Sequence, residues 1–149
     1  GPRQSARAVI PSIISQILSG KEKINIGDVS TTRDFNYVED VCRAFLFLSR
    51  SKIFFGQTIN IGSGKEYSIK NIFDNITKIT KTKVFLKHDK ERVRPKKSEV
   101  VRLLCNNKKL VKVGKFKFEN DINLGLKKTI KWFSEGKNLS YYKTNIYNI

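Results

Sequence analysis

The stretch Thr32-Arg33-Asp34-Phe35-Asn36-Tyr37-Val38-Glu39-Asp40 constrains this chain most, because it leads a charged turn straight into a strongly apolar helix. Val38, Val41, Cys42, Phe45, Leu46 and Leu48 recur behind it at helical spacing. Asp40 sits at the start of that helix, where a carboxylate favours free N–H groups and the positive dipole end, so capping alone would explain it. Asp34 reads as structural, holding the turn that aims Arg33. At 149 residues the chain fits one domain, small enough that losing a partner domain would leave an apolar face exposed.

The other segments alternate helical and strand patterns. Ile10, Ile13, Ile14, Ile17 and Leu18 predict an amphipathic helix that tolerates Pro11 in its first turn and stops at Gly20. Lys23 to Ile26 reads as a short strand closed by Gly27-Asp28, and Thr58 to Ile61 as another, ending at a Gly62-rich binding edge. Ser68 is placed to cap a helix through Ile79, followed by a strand at Lys83 to Leu86 and a charged loop from Lys87 to Lys97. After the apolar run Val100 to Leu104, Asn106 is a candidate cap for a short helix through Val111, with Gly114 as its stop. Asp121 would cap a last helix that ends by Gly136. The domain is therefore read as residues 1–136, with 137–149 as a tail that either frays or docks. The alternation indicates an α/β fold, a small lobe of helices and short strands packed beside a nucleotide-binding sheet.

A formal charge of +17 raises nucleic-acid binding, since Lys and Arg release counterions from phosphate. The distribution argues against it: Lys is scattered through every segment and far outnumbers Arg, as a basic solvated surface requires. A free-standing basic nucleic-acid-binding module remains the alternative from another class. No apolar run approaches the roughly 20 residues that span a bilayer, so no membrane association is expected. Cys42 and Cys105, without C-x-x-C spacing, read as buried free thiols. His88 has no second ligand at metal spacing and reads as an exposed loop residue.

Four signals stand in one order: Gly1-Pro2-Arg3-Gln4-Ser5, the Thr32 to Asp40 stretch, Ile59-Asn60-Ile61-Gly62-Ser63-Gly64, and Arg94-Pro95 with Ser98-Glu99-Val100. Together, over roughly residues 1 to 135, they resemble the C-terminal half of the extended short-chain dehydrogenase/reductases, the NAD-dependent nucleotide-sugar epimerases and dehydratases, with the 4,6-dehydratase branch closest. Gly1-Pro2 alone would also fit a remnant of tag removal, but its continuation through Arg7 to Pro11 fits the family segment. The resemblance implies a substrate-binding lobe with the Rossmann core mostly absent. The family's Gly-rich dinucleotide turn and Tyr-x-x-x-Lys pair have no counterpart here, since none of the chain's Tyr residues has Lys four positions on. A missing N-terminal Rossmann domain is expected to bind NAD, and this chain alone is expected to be inactive. Val113-Gly114-Lys115 and Cys105-Asn106-Asn107-Lys108 depart from the family's usual sequences and weaken the subfamily assignment.

A nucleotide-sugar site needs cations for the diphosphate and an apolar clamp for the base. Arg33 and Arg94 are the candidate cations, because a guanidinium fork grips phosphate oxygens in pairs where Lys offers a mobile point charge. Surface pairing of Arg33 with Asp34 is the plainer alternative. The resemblance places Val9 and Asn25-Ile26-Gly27 against the base with Phe35 nearby, Asn60 at a strand end, and Ser98 and Glu99 within reach of ribose hydroxyls. Gly1 and Pro2 would lie near the nicotinamide. No metal and no catalytic residue is expected in this chain. The reading implied is a cytoplasmic lyase acting on a UDP-N-acetylhexosamine-like sugar, with a 4-epimerase, an isomerase, as the alternative. Expected partners are the nucleotide-sugar, the absent cofactor domain and a second copy forming a homodimer.

Overall fold

The computed structural model describes residues 1–93 and 99–143. In chain order it contains α1 (Val9–Leu18), β1 (Lys23–Ile26), β2 (Thr32–Arg33), α2 (Val38–Arg50), β3 (Tyr67–Ser68), α3 (Ile69–Thr80), β4 (Phe85–His88), β5 (Arg102–Leu103) and α4 (Ile122–Ser134). Short 3-10 turns occupy Lys52–Phe54, Lys90–Arg92 and Asn138–Tyr141, and a π-type turn occupies Lys109–Val113. This is a mixed α/β lobe of helices and short strands.

Two small sheets organise it. β1 and β4 pair in parallel with Ile24 opposite Leu86. β2 lies between β3, antiparallel, and β5, parallel, with Thr32 opposite both Ser68 and Arg102. α1, α3 and α4 enclose the main core, where Ile13, Ile14, Ile24, Ile72, Ile76, Leu126 and Phe133 are buried. A second, smaller cluster of Ala44, Leu110 and Phe116 lies under α2.

Local chemistry sets the boundaries. Ser68 Oγ accepts from Asn71 N at 3.0 Å while Asn71 Oδ1 accepts from Ser68 N at 3.2 Å, a reciprocal cap that starts α3. Asp121 Oδ1 accepts from Leu124 N at 2.8 Å and starts α4. Asp40 does something other than cap its own helix. Its carboxylate is 1% exposed and accepts from Glu119 N (3.1 Å), Asn120 N (2.8 Å) and the Arg43 guanidinium (2.8 Å), tying α2 to the segment before α4. Burial alone would raise its pKa, but those hydrogen bonds outweigh it and hold the carboxyl below its ordinary value.

Several expectations shift. Thr58 to Ile61 is not a strand, because no neighbouring strand offers it a ladder among the described residues. The strand expected at Lys83 to Leu86 forms two residues later, at Phe85–His88, where it meets β1 in register, so His88 ends a strand rather than sitting in a loop. The helix expected from Asn106 to Val111 becomes the π-type turn, with Gly114 N donating to Lys109 O at 3.1 Å. Cys42 is exposed, because α2 turns much of its apolar face outward, and Cys105, beyond β5, is half-buried; both are free. The tail turn docks as far as Tyr142, whose ring centroid stands 4.6 Å from that of Phe133 and whose hydroxyl donates to Gln4 O at 2.9 Å. No helix among the described residues is long and apolar enough to cross a membrane.

Candidate functional site

A cavity of about 220 Å³ opens where the start of α1, the end of β1, β2 and the Lys90–Arg92 turn converge. Its lining brings together Val9, Asn25, Ile26, Gly27, Arg33 and Glu99, six residues that the sequence singles out. β2 presents Arg33, whose guanidinium donates to Thr32 O at 2.8 Å and to Glu99 Oε1 at 2.9 Å. Both members of that ion pair are about four-fifths buried, at 21% and 19% side-chain exposure. Arg33 thus pairs with a carboxylate, but with Glu99 rather than the adjacent Asp34.

Asp34 is committed to its own surroundings. It accepts from Ser63 Oγ (2.6 Å), Ser63 N (3.1 Å), Gly64 N (2.9 Å) and Cys105 N (3.3 Å), so the Gly62–Gly64 turn wraps a carboxylate of the chain itself. A Cβ on Gly62 would stand 2.3 Å from Cys105 Cβ, which leaves glycine as the fitting residue. The N–H groups of this turn are therefore spent on Asp34, and the binding edge read from its glycines is an internal brace.

Behind the lining residue Asn25 stands Gln16, buried in the apolar stripe of α1. Its Oε1 accepts from Asn25 N at 2.9 Å and its Nε2 donates to Asn25 O at 3.2 Å. The Asn25 main chain is thereby satisfied, and only its side-chain amide remains for a ligand. Gly27 lies directly beneath the Arg92 carbonyl, which a Cβ would approach to 2.3 Å. Arg92 in turn donates through Nε to Asp89 Oδ2 and through its terminal nitrogen to Ser12 Oγ, both at 3.0 Å.

Arg7, Ser12, Asp28, Thr31 and Arg92 also line the cavity and were not singled out from sequence. Hydrogen bonds from the Ser30 hydroxyl and N–H hold the Asp28 carboxyl below its usual pKa, so it stays anionic. Arg7, Arg33 and Arg92 thus face Asp28 and Glu99, a mixed lining in which, among the described residues, cations outnumber anions three to two.

Other candidates lie elsewhere. Asn60 is exposed and its side-chain amide donates to Asn106 O at 3.5 Å, away from the residues that line the cavity. Phe35 and Gly1 line a separate pocket of about 30 Å³ with Ile10, Tyr37 and Leu126; Pro2 is not part of it. Arg94, Pro95 and Ser98 lie outside the described residues. An open groove of about 1000 Å³ runs between Arg3–Arg7 and Trp132 with the tail turn, sharing Arg7 with the smaller cavity. Among the described residues no group of three or more His, Cys, Asp or Glu is placed to hold a metal ion.

Residues 1–129 match the sequence family described as GDP-mannose 4,6 dehydratase. A putative UDP-glucose 4-epimerase of Methanocaldococcus jannaschii is 33% identical over 135 residues, covering 89% of this chain and 42% of that protein. A UDP-N-acetyl-alpha-D-glucosaminuronate decarboxylase of Bacillus cytotoxicus is 34% identical over 135 residues, covering 87% and 41%. Among solved structures, the UDP-glucuronic acid 4-epimerase of Bacillus cereus, in complex with UDP-glucuronic acid and NAD, superposes with a TM-score of 0.78 at 26% identity. That alignment covers 89% of this chain and 41% of the epimerase. The chain therefore spans about two fifths of the length of the relatives it matches.

Proposed function

The chain belongs to the GDP-mannose 4,6 dehydratase family, within the extended short-chain dehydrogenase/reductases that use NAD on nucleotide sugars, and we propose that it forms the substrate-binding portion of such an enzyme. The observation that carries this reading is the convergence of Arg33, Val9 and Asn25–Gly27 on one cavity. Arg33 would hold the diphosphate, Val9 and Ile26 would flank the base, and the second oxygen of Glu99 would meet a ribose hydroxyl.

The reaction favoured is 4,6-dehydration of a UDP-N-acetylhexosamine-like sugar: oxidation at C4, loss of water across C5 and C6, and return of the hydride. NAD supplies the hydride chemistry when bound. The residues of this chain would bind and orient the sugar nucleotide, with Gly1 and Pro2 as candidates on the cofactor side and Arg94 and Ser98 as further candidate ligands for the diphosphate and ribose. Similarity to two 4-epimerases favours C4 inversion as the second reading.

The exposed apolar face of α2 fits a docked cofactor domain. Val38, Phe45 and Leu46 are 45%, 64% and 59% exposed, with Ile53 and Phe55 beyond them. A chain that spans two fifths of its relatives would leave such a face uncovered.

Calorimetric titration of the chain with UDP, GDP and random single-stranded DNA tests the reading. We expect UDP to bind with a modest salt dependence. Binding of DNA alone, with affinity falling steeply as salt rises, would replace it with the nucleic-acid module. Dehydratase turnover by these 149 residues alone would overturn the assignment of chemistry to a separate cofactor domain.

A further inference from the structure

β2, β3 and β5 are two residues long each, so the strand that carries Arg33 is fixed by very few main-chain bonds. Thr32 N donates to Val101 O and Asp34 N to Leu103 O, both at 2.9 Å. A single carboxylate spans all three strands beside those bonds. Glu66, immediately before β3, accepts from Thr32 Oγ1 at 2.8 Å, and takes the Arg102 guanidinium in paired fashion, at 2.8 Å to each oxygen. Thr32 opens β2 and stands opposite Arg102, which opens β5, so the three side chains meet at one end of the sheet. Successive strand residues point to opposite faces, which puts this staple on one face and Arg33, next in sequence, on the other, toward the cavity.

We propose that Glu66 is a positioning residue for Arg33, a staple across β3, β2 and β5 that holds the guanidinium at the cavity. The proposal rests on the reading of Arg33 as the diphosphate ligand. The hydrogen bonds from Arg102 and Thr32 hold the Glu66 carboxyl down to about 2, so the staple stays charged at any pH used for nucleotide binding. Exposed ion pairs contribute little to global stability, whereas a shift of the short β2 strand misplaces the adjacent guanidinium directly. Glu66 therefore acts on affinity more than on folding.

The test is a double-mutant cycle on the full chain, read as UDP affinity by calorimetry, with urea unfolding run in parallel. Glu66→Gln and Arg102→Ala should each weaken UDP by about threefold to tenfold, less than a full charged hydrogen bond because the groups are solvated. Both should leave the unfolding midpoint nearly unchanged. In the Arg33→Ala background Glu66→Gln should add nothing, since its effect passes through Arg33. Lys70→Ala, which breaks the exposed Lys70–Asp74 pair on α3, should be silent in both readouts. If Glu66→Gln leaves affinity unchanged, or weakens it equally with and without Arg33, the positioning role is wrong while the nucleotide reading stands. If the unaltered chain binds no UDP, the nucleotide reading itself fails and the staple loses its purpose with it.

Discussion

In α1, Ile13, Ile14 and Ile17 are at most 5% exposed, whereas in α2 Phe45 and Leu46 keep 64% and 59% of their surface. Both helices are amphipathic by pattern, so pattern alone does not decide burial. α1 packs against β1, α3 and α4, which together bring enough apolar surface to close a core. α2 finds only the small cluster around Ala44, Leu110 and Phe116, and the rest of its apolar face has no counterpart among the described residues. One region closes its own core; the other leaves an apolar face exposed.

The sharpest way to break this contrast is a matched pair of truncations. Phe133→Ala should cost roughly 3 to 5 kcal/mol of unfolding free energy, since it opens a cavity in the closed core. Phe45→Ala should change it by less than about 0.5 kcal/mol, as an exposed position does. Equal costs in urea denaturation would show that α2 is covered after all.

The link between the two regions is Asp40. Asp40→Ala would strand the N–H groups of Glu119 and Asn120 and the Arg43 charge, at about 1 to 3 kcal/mol. Because its folded pKa is depressed, its contribution is present above the unfolded value of 3.8 and is lost as pH falls through the lower folded value. Melting temperature should therefore drop on acidification below about pH 4 in the native chain, and that step should shrink in Asp40→Asn. An unchanged step would assign it to other carboxylates.

On the cavity side, Arg33→Ala should weaken UDP by about tenfold to a hundredfold, the loss of a charged hydrogen bond. Lys83→Ala and Lys117→Ala, on scattered surface charge, should stay near unity. Similar losses in all three would mean diffuse charge holds the phosphates. The smallest expected effect sharpens the α2 side: Phe45→Ser and Leu46→Ser should leave stability alone but reduce dye binding and self-association in analytical ultracentrifugation.

The elements that sequence made legible are those with local signals. Ser68 and Asp121 cap where their side chains must, and the alternation at Lys23 to Ile26 gives β1 its full extent. The Thr58 to Ile61 alternation looked the same but lacks a strand to pair with, which no local pattern reveals. At the site, Val9, Asn25–Gly27, Arg33 and Glu99 came from motif order. Arg92 and Ser12, 80 positions apart, meet only through the fold. Gln16 did leave a signal, a lone amide amid isoleucines on a buried helical stripe, where an unsatisfied polar group would be costly.

That Gln16 amide has a consequence for solubility. With donor and acceptor both turned to Asn25, it imitates the peptide group of an adjoining strand and closes the outer edge of β1 against strand addition by another molecule. A two-stranded parallel sheet is a poor structure by itself, and an open edge along Lys23–Ile26 would invite intermolecular pairing. A side chain that braces Asn25 behind the cavity thus doubles as protection against aggregation, and a leucine of similar volume at this position would fill the space yet leave the edge open.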